Sequence, residues 1–242
     1  MSRFRPTSAQ DDAVLIAIGS LLDGARQATG TVAIIDVFRA FTTAAMAFAN
    51  GASRILMVGS VEEALSLRDS GHVQICMGEV GGRAPPGFDF GNSPFEIENV
   101  DFTGAVIAQR TGAGTQGIVA ARSADRLYAA SLVTAKATAK ALLSHQAQRI
   151  SLVAMGNNAV MRTDEDELCA LHLRNLLEGR PGSPDGVRQV ILAGGEIKRF
   201  DDPSDPHHPR DLDIALDIDR FDFAIRVTME DGRPVARLER PA

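Results

Sequence analysis

Residues 31–51 read TVAIIDVFRAFTTAAMAFANG and contain the pattern that decides the fold. Residues 31–35 are apolar and rich in β-branched side chains, which is typical of a buried strand. Residues 40–50 have helical composition and end before Gly51, a residue that favours the left-handed conformation after a helix. The stretch therefore predicts a strand, a short polar loop and a helix, the basic unit of α/β proteins.

The same alternation of β-branched runs and helical runs continues along the chain. Strands are predicted at residues 13–18, 31–35, 54–58, 73–77, 105–109, 126–130 and 150–154, and helices at 40–50, 61–70, 134–145 and 164–177. This pattern favours an α/β fold with three layers, α/β/α, around a mostly parallel sheet.

The C-terminal part of the chain departs from this alternation. Residues 179–184 and 201–209 are rich in glycine, proline and polar residues, which predicts loops. Between and after them, we expect a strand at 187–192 and a short helix at 211–219. Residues 223–238 alternate around Glu230, Asp231 and Gly232, which predicts a β-hairpin at a sheet edge. We expect one α/β domain over residues 1–242, with two closely packed lobes as the alternative.

Composition limits the classes of function. The chain has 242 residues, 45% hydrophobic and 23% charged, with a net charge of −6. This apolar content supports a core and excludes general disorder. The acidic balance, with no Trp and one Tyr, argues against nucleic-acid binding, which needs a basic surface and stacking residues.

The apolar segments and cysteines indicate a cellular location. No segment has the pattern of a signal peptide or the length of a membrane span. Cys76 and Cys169 lie in apolar stretches without metal-binding spacing, as expected of reduced thiols. We therefore expect a cytoplasmic protein without a membrane partner.

Polar residues follow four of the predicted strands. They are Asp36, with Arg39 three positions later, after 31–35; Glu79 after 73–77; Arg110 and Thr111 after 105–109; and Asn157 and Asn158 after 150–154. Ligands of open α/β sheets bind beyond the carboxyl ends of the strands, so these residues are candidates for one site. Simpler explanations are that Asp36 caps a helix or pairs with Arg39, and that Glu79 is a loop charge.

Residues 78–94, GEVGGRAPPGFDFGNSP, form a loop that is long for a compact domain. Such loops are usually functional when they are ordered. Glu79 and Asp89 supply two carboxylates there, and Mg²⁺ binds one or two carboxylates while keeping waters for the substrate. Asn92 and Ser93 before Pro94 are good turn formers, which is their simpler explanation.

A literal G-x-G-x-x-G lies at residues 112–117. A dinucleotide site needs an acid at the end of the following strand. The strand at 126–130 instead ends before Ser131, and its nearest acid, Asp125, lies at the opposite end. A flexible loop at a helix N-terminus predicts an anion-binding cradle, which would be made by Arg110, Thr111, Gly114 and Thr115.

An acidic cluster, residues 164–167, opens a predicted helix. Acids in the first turn interact favourably with the helix dipole, which is the simpler explanation. The alternative is that one of them reaches the same pocket as Asn157. His207 and His208 have no third ligand at metal-binding spacing, so they predict no metal site.

Several motifs together resemble the 2-phosphosulfolactate phosphatase family, named for an enzyme of coenzyme M biosynthesis. They are IIDVFRAFTTAAMAFANGA at 34–52, SVEEAL at 60–65, GEVGG and GFDFGNSP within 78–94, RTGAGTQG at 110–117 and DEDELCA at 164–170. The resemblance implies a layered α/β fold and Mg²⁺-dependent hydrolysis of a phosphate ester on a small acidic molecule. By position it implies the site residues Asp36, Arg39, Glu79, Asp89, Asn92, Ser93, Thr111, Thr115 and Glu165. The chain departs from the family at residues 111–115, TGAGT, where T-N-G-T is common.

We therefore expect a Mg²⁺-dependent phosphatase acting on a small anionic phosphorylated hydroxy acid, nominally 2-phosphosulfolactate. The expected catalytic set is Asp36, Arg39, Arg110 and Glu165; the substrate set is Asn92, Ser93, Thr111, Gly114, Thr115 and Asn157; and the metal set is Asp36, Glu79 and Asp89. Arginine is assigned to the substrate because its planar guanidinium matches phosphate oxygens in pairs. A non-catalytic binder of an anionic metabolite is the main alternative, and a dinucleotide-dependent oxidoreductase the third. A homodimer is expected from the predicted edge hairpin.

Overall fold

The computed structural model describes residues 14–180, 182–201 and 208–241. The strands are β1 (Leu15–Ser20), β2 (Gly30–Ile35), β3 (Arg54–Met57), β4 (Ile75–Gly78), β5 (Val106–Arg110), β6 (Ala124–Ala130), β7 (Arg149–Ala154), β8 (Ala224–Glu230) and β9 (Arg233–Glu239). The helices are α1 (Leu21–Gln27), α2 (Ala40–Ala49), α3 (Val61–Asp69), α4 (Gly114–Ala120), α5 (Ala135–Leu143), α6 (Asp164–Leu177), α7 (Pro184–Ala193), α8 (Lys198–Asp201) and α9 (Pro209–Ala215). A 3₁₀ turn, Leu132–Thr134, precedes α5.

Within these residues, nine strands form one sheet in the order β1-β7-β2-β6-β8-β9-β3-β5-β4. Strands β1, β7, β2 and β6 are parallel to one another, and β3, β5 and β4 form a second parallel group. The hairpin β8–β9 joins the two groups, because β8 pairs antiparallel with β6 and β9 pairs antiparallel with β3. The two parallel groups therefore run in opposite directions, and the predicted α/β fold with a mostly parallel sheet is confirmed.

The C-terminal hairpin is present, but its predicted place at a sheet edge is wrong. Its turn residues Asp231 and Gly232 have φ values of 49° and 78°, as a type I′ turn requires. Ile225 and Ala236 are fully buried on one face, and Val235 packs on the other. A hairpin can join two parallel groups of opposite direction, an arrangement that no local sequence signal reveals. The hairpin's position therefore no longer supports a homodimer, which stays a prediction.

Helices cover both faces of the sheet, which confirms the layered arrangement. Along β2, Val32 and Ile34 pack on one face while Ala33 and Ile35 pack on the other, as the two-residue period of a strand requires. The first face packs against α1, α2 and α4 in an apolar cluster that spans both parallel groups. The second face is covered by α5, α6 and α7 over one group and by α3 over the other.

Helix α2 is enclosed by this core. All of its residues except Ala49 are buried. Phe41 and Phe48 lie in the same apolar cluster as Ile34 of β2 and Ile107 of β5. Because α2 begins four residues after Asp36, core packing fixes the end of the loop that carries Asp36 and Arg39.

Residues 187–192 belong to helix α7, so the strand predicted there is wrong. Ser183 caps this helix by accepting the Gly186 N–H at 3.0 Å, and Pro184 occupies the first turn, where a missing N–H is tolerated. These start signals precede the β-branched run that suggested a strand. The helix expected at 211–219 corresponds to α9, and His207 lies outside the described residues.

No helix in the described ranges is long and apolar enough to cross a membrane.

Candidate active site

A pocket of about 420 Å³ lies where the loops after β2, β4 and β7 meet the loop between β5 and α4. Its charged and amide lining among the described residues consists of Asp36, Glu79, Glu196, Arg39, Arg199, Asn92, Asn157 and Asn158. These strands belong to groups of opposite direction. Five steps separate β2 from β5 in the sheet, yet the loops that follow them meet, because Asp36 Oδ2 after β2 lies 2.7 Å from the Gly114 nitrogen after β5.

Asp36 joins the loops that follow two strands. Its Oδ1 accepts the Ala40 N–H at the start of α2 (3.0 Å), and its Oδ2 accepts the Gly114 N–H at the start of α4 (2.7 Å). Burial raises the pKa of Asp36 to about 6, against the effect of these two hydrogen bonds; the charge of Glu79 raises it further. The carboxylate is therefore ionised in most molecules at neutral pH.

Glu79 is held in the same way as Asp36. Its Oε1 accepts the Gly112 N–H, and its Oε2 accepts the Gly82 N–H at 2.7 Å. Arg110 donates from Nη1 to the Glu79 carbonyl oxygen at 2.7 Å. Arg110 thus braces this loop and is not among the residues that line the pocket.

The glycines at 112–117 make room for these carboxylates and for α4. A Cβ atom at Gly112 would lie 3.1 Å from Glu79 Oε1, and one at Gly114 would lie 2.8 Å from Asp36 Oδ2. A Cβ atom at Gly117 would lie 2.8 Å from the Ile34 side chain of β2. The G-x-G-x-x-G spacing is thus accounted for by close contacts inside the protein.

Thr111 and Thr115 bond to each other and do not line the pocket. The Thr111 N–H donates to Thr115 Oγ1 at 2.8 Å, and the Thr115 N–H donates to Thr111 Oγ1 at 3.1 Å. These bonds fix the loop whose Gly112 and Gly114 amides bind Glu79 and Asp36. Two amides of the expected anion cradle are therefore used by carboxylates of the chain itself.

Arg39 lines the pocket and is held by Asp211 of α9. Arg39 Nη1 lies 2.7 Å from Asp211 Oδ2, and both side chains are almost fully buried. Asp211 Oδ1 also accepts the Ser93 hydroxyl at 2.6 Å and the Phe95 N–H at 3.0 Å. Ser93 therefore positions this network and does not line the pocket.

Asn92 and Asn157 bring two amides to the pocket. Asn92 is buried, and its Oδ1 has no hydrogen-bond partner among the described residues. Asn157 opens a tight turn after β7, in which its N–H donates to the Met161 carbonyl at 2.8 Å. Both amides are available to hydrogen-bond a polar ligand.

Asp89 is not brought to the pocket. Its Oδ2 accepts the Cys76 N–H at 2.8 Å and lies 3.4 Å from Arg68 Nη1, with the side chain 41% exposed. The expected metal set is therefore split, because only Asp36 and Glu79 line the pocket. In the described part of the chain, no group of three or more His, Cys, Asp or Glu residues is placed to hold a metal ion.

The pair Asp36 and Glu79 nevertheless fits Mg²⁺. This ion needs only one or two carboxylates, since waters and substrate phosphate complete its coordination. Each oxygen of the pair accepts one backbone hydrogen bond, which leaves a lone pair on each for a cation. A cation beside them would also offset the repulsion that raises the pKa of Asp36.

Glu165 lies behind Arg199 and is not among the lining residues. Its Oε1 lies 3.4 Å from Arg199 Nη2. Burial raises the pKa of Glu165 to about 7, although the charge of Arg199 acts in the opposite direction. Glu165 therefore reaches the pocket only through Arg199.

Asp166, which the sequence analysis did not single out from its cluster, ties two site loops together. Its carboxylate accepts the Val37 N–H at 2.7 Å and the Gly156 N–H at 2.8 Å. Burial raises its pKa well above the usual range, and the charges of Glu165 and Asp36 add to that effect. The acidic cluster at 164–167 is the sequence signal for Asp166, but the sequence does not show which of its four acids reaches the site.

Arg199 and Asp211 are the site residues without a sequence signal. They lie on the short helices α8 and α9. The sequence predicts no element at residue 199, and it predicts the helix that contains Asp211 without a functional motif. Only the tertiary fold brings Arg199 to Glu165 and Asp211 to Arg39.

Comparison with known proteins identifies one family. The family described as 2-phosphosulpholactate phosphatase matches residues 18–195. A relative from Thermotoga petrophila is 37% identical over 158 residues, 65% of this chain and 66% of the relative, just under two thirds of its length. A Bacillus subtilis relative is 34% identical over 170 residues, 69% of each chain. A Thermoplasma acidophilum relative is 34% identical over 194 residues, 77% of this chain and 80% of the relative. All three are named probable 2-phosphosulfolactate phosphatases.

Proposed function

Because the chain belongs to the 2-phosphosulfolactate phosphatase family, we propose that it is a Mg²⁺-dependent phosphoric monoester hydrolase. Its nominal reaction converts 2-phosphosulfolactate and water into sulfolactate and phosphate. The names of the matched relatives support the reaction class and the nominal substrate.

One observation carries this proposal: two carboxylates and two guanidinium groups, from Asp36, Glu79, Arg39 and Arg199, line a single pocket. Phosphoryl transfer is catalysed mainly by positioning and by neutralising charge around the transferred group. A pocket that combines two cation ligands with the fixed guanidinium group of Arg39 supplies both requirements.

The residues of the chain divide the work as follows. Arg39, fixed by Asp211 at 2.7 Å, binds oxygens of the phosphate, for which its planar fork is suited. The amides of Asn92 and Asn157 orient the same group by hydrogen bonds. Water is the nucleophile in this scheme.

Asp36 and Glu79 would hold Mg²⁺, and we leave Asp89 out of the ligand set because its carboxylate binds the Cys76 N–H outside the pocket. When bound, Mg²⁺ supplies positive charge against the phosphate oxygens and acts as a Lewis acid. Thr111, Thr115, Ser93 and Asp166 act by holding the loops that carry these groups.

Phosphate release is the direct test. The purified protein would be assayed with 2-phosphosulfolactate, 2-phospholactate and ethyl phosphate, with Mg²⁺ and after chelation by EDTA. We expect release from 2-phosphosulfolactate that stops with EDTA and returns when Mg²⁺ is added back.

Two results would contradict the proposal in different ways. Tight binding of 2-phosphosulfolactate with no release above a blank would favour the non-catalytic binder. Phosphate release that is unchanged by EDTA would support the phosphatase activity and contradict its dependence on Mg²⁺.

We also propose that the protein is cytoplasmic. Cys76 and Cys169 are free and buried thiols, which supports the reducing environment of the cytoplasm.

A further inference from the structure

Arg199 is held in a fixed place at the pocket. Its guanidinium carbon lies 5.8 Å from the centroid of the Phe38 ring and 5.6 Å from that of Phe200, and these rings contact edge to face with centroids 5.0 Å apart. Stacking on aromatic rings is a favourable position for arginine. The side chain is only 16% exposed, so little of its freedom remains to be lost when a ligand binds.

The hydrogen-bonding capacity of this guanidinium is largely unused. Its contacts with Glu165 and Glu196 are 3.4 Å and 3.5 Å long, whereas strong charge-assisted bonds measure about 2.7–2.9 Å. Its Nε is buried without a hydrogen-bond partner among the described residues. Arginine has five N–H donors, so Arg199 can bind an anion while keeping both acidic neighbours.

The two cations that line the pocket within the described residues, Arg39 and Arg199, come from different parts of the chain. Arg39 lies three positions after Asp36 in the loop that follows β2, and its Nη1 is already bound to Asp211. Arg199 comes from α8 and lines the same pocket. Because the proposed function assigns Arg39 to the phosphate, Arg199 is the cation left for a second anionic group.

We propose that Arg199 binds the acidic group of the substrate that is not transferred, a carboxylate or a sulfonate, and so selects phosphate esters of acidic molecules over neutral ones. This inference rests on the proposed phosphatase function. Residue 199 lies four positions beyond the matched family segment, 18–195, so the family match does not assign it.

The test compares Arg199→Met and Arg199→Lys with the wild type. Arg188→Met serves as the matched control, because Arg188 is exposed on the neighbouring helix α7. We would measure kcat and KM for 2-phosphosulfolactate, for 2-phospholactate, which lacks the sulfonate, for 2-sulfoethyl phosphate, which lacks the carboxylate, and for ethyl phosphate, which lacks both.

We expect Arg199→Met to raise KM for 2-phosphosulfolactate about 10- to 100-fold, the range for losing a hydrogen bond to a charged group. Arg199→Lys should give a smaller rise, because an ammonium keeps the charge without the fork. KM for ethyl phosphate should stay unchanged in both variants. The analogue that shows the rise identifies the group, carboxylate or sulfonate, that Arg199 binds.

An equal loss for ethyl phosphate, or no rise for 2-phosphosulfolactate, would overturn the inference, because either result would assign Arg199 a structural function. If the wild type hydrolyses none of the esters, the proposed function fails, and calorimetric binding of sulfolactate then decides about Arg199. Binding that weakens in Arg199→Met supports the inference, while equal binding or none to the wild type overturns it. Thermal melting tests whether each variant is folded. If Arg199→Met is not folded, the conclusion is drawn from Arg199→Lys.

Discussion

At the scale of single residues, Asp36 serves two purposes. It accepts the N–H groups that begin α2 and α4, and it lines the pocket. Asparagine at this position has one oxygen and can replace only one of the two hydrogen bonds.

We predict that Asp36→Asn lowers kcat at least about 100-fold, the effect typical of losing a key electrostatic group. The variant should still fold, with a loss of about 1–3 kcal/mol from one unsatisfied N–H. Phosphate release and urea unfolding measure the two effects. Glu62→Gln, an exposed acid on α3, is the control and should retain activity. Near-normal turnover of Asp36→Asn would remove Asp36 from the site.

Glu165 predicts a dependence of stability on pH. Its pKa is about 7 in the folded protein against 4.5 ordinarily, because the carboxyl group is buried. A raised pKa means that the folded state binds the proton more tightly, so this stabilisation is full below about pH 4.5 and is lost as the pH rises through about 7. Glutamine cannot ionise. Relative to the wild type, Glu165→Gln should therefore gain about 2 kcal/mol between about pH 5 and pH 8.

Urea unfolding at both pH values measures this difference. Glu167→Gln on the same helix is the control. Burial acts to raise the pKa of Glu167, but hydrogen bonds from Arg162 and Ser20 outweigh it and lower the pKa. Its effect should therefore be the same at both pH values, and an equally flat difference for Glu165→Gln would contradict the prediction.

The sequence located the site residues that follow strands, and Asn92 in the loop 78–94, and missed Arg199 and Asp211 on the later helices. Asp36, Glu79 and Asn157 come within three residues of the ends of predicted strands, and all three line the pocket. Asp89 shares a loop with Glu79, but its side chain faces Cys76 and Arg68. Spacing along a loop does not fix the direction of a side chain, and the assigned functions of these residues stay predictions.

At the scale of elements, the loop from β5 to α4 connects the two parallel groups of the sheet. Gly112 binds Glu79 after β4, and Gly114 binds Asp36 after β2. The sequence shows the glycine-rich composition of this loop. It does not show that the loop binds Glu79 and Asp36, because these residues lie 33 and 78 positions away.

We predict that Gly114→Ala impairs both stability and turnover. The added Cβ would lie 2.8 Å from Asp36 Oδ2 and 2.9 Å from the Ala40 Cβ, so the loop or α2 must shift. Overpacking of this kind costs about 1–3 kcal/mol. Gly59→Ala is the matched control, because a Cβ there meets nothing within 4 Å. Melting temperature and phosphate release test both variants, and a Gly114→Ala protein that behaves like Gly59→Ala would show that the contact is not needed.

Start signals identified helices better than hydrophobic runs did. Ser60 caps the start of α3, because its Oγ accepts the Glu63 N–H at 3.1 Å, and the Glu63 carboxylate accepts the Gly59 N–H at 3.2 Å. Residues 187–192 looked like a strand because valine and isoleucine dominate them, yet Ser183 and Pro184 start a helix there. The strand was predicted from residues 187–192 alone, without considering the helix start signals at Ser183 and Pro184.

At the scale of the whole molecule, the hairpin β8–β9 holds the two parallel groups together. Pairing with both groups makes it part of the core, whereas an edge hairpin could be removed with modest loss. The fold class followed from the alternation of strands and helices. The strand order did not, because it depends on contacts such as Leu56 with Val235 that are far apart in sequence. The single domain expected over the chain stays a prediction.

We predict that a chain ending after Asp222 does not fold. Without β8 and β9, β6 and β3 each lose one of their two partner strands, and the apolar cluster loses Ile225 and Ala236. Far-UV circular dichroism and thermal melting of the truncated protein should show no cooperative transition. Met229→Ala, which alters a side chain 64% exposed on the same hairpin, should stay within about 0.5 kcal/mol of the wild type. A truncated protein that melts cooperatively would show that the two parallel groups hold together without the hairpin.

The middle of the sheet comes from the last strands to be made among the described residues, since β8 and β9 follow the other seven in chain order. A ribosome makes the N-terminal strands first, so β6 and β3 leave it with one side open until residues 224–239 follow. Open strand edges attract other chains and favour aggregation. The newly made protein therefore depends on the synthesis of residues 224–239, or on a chaperone in the interval, before its sheet can close.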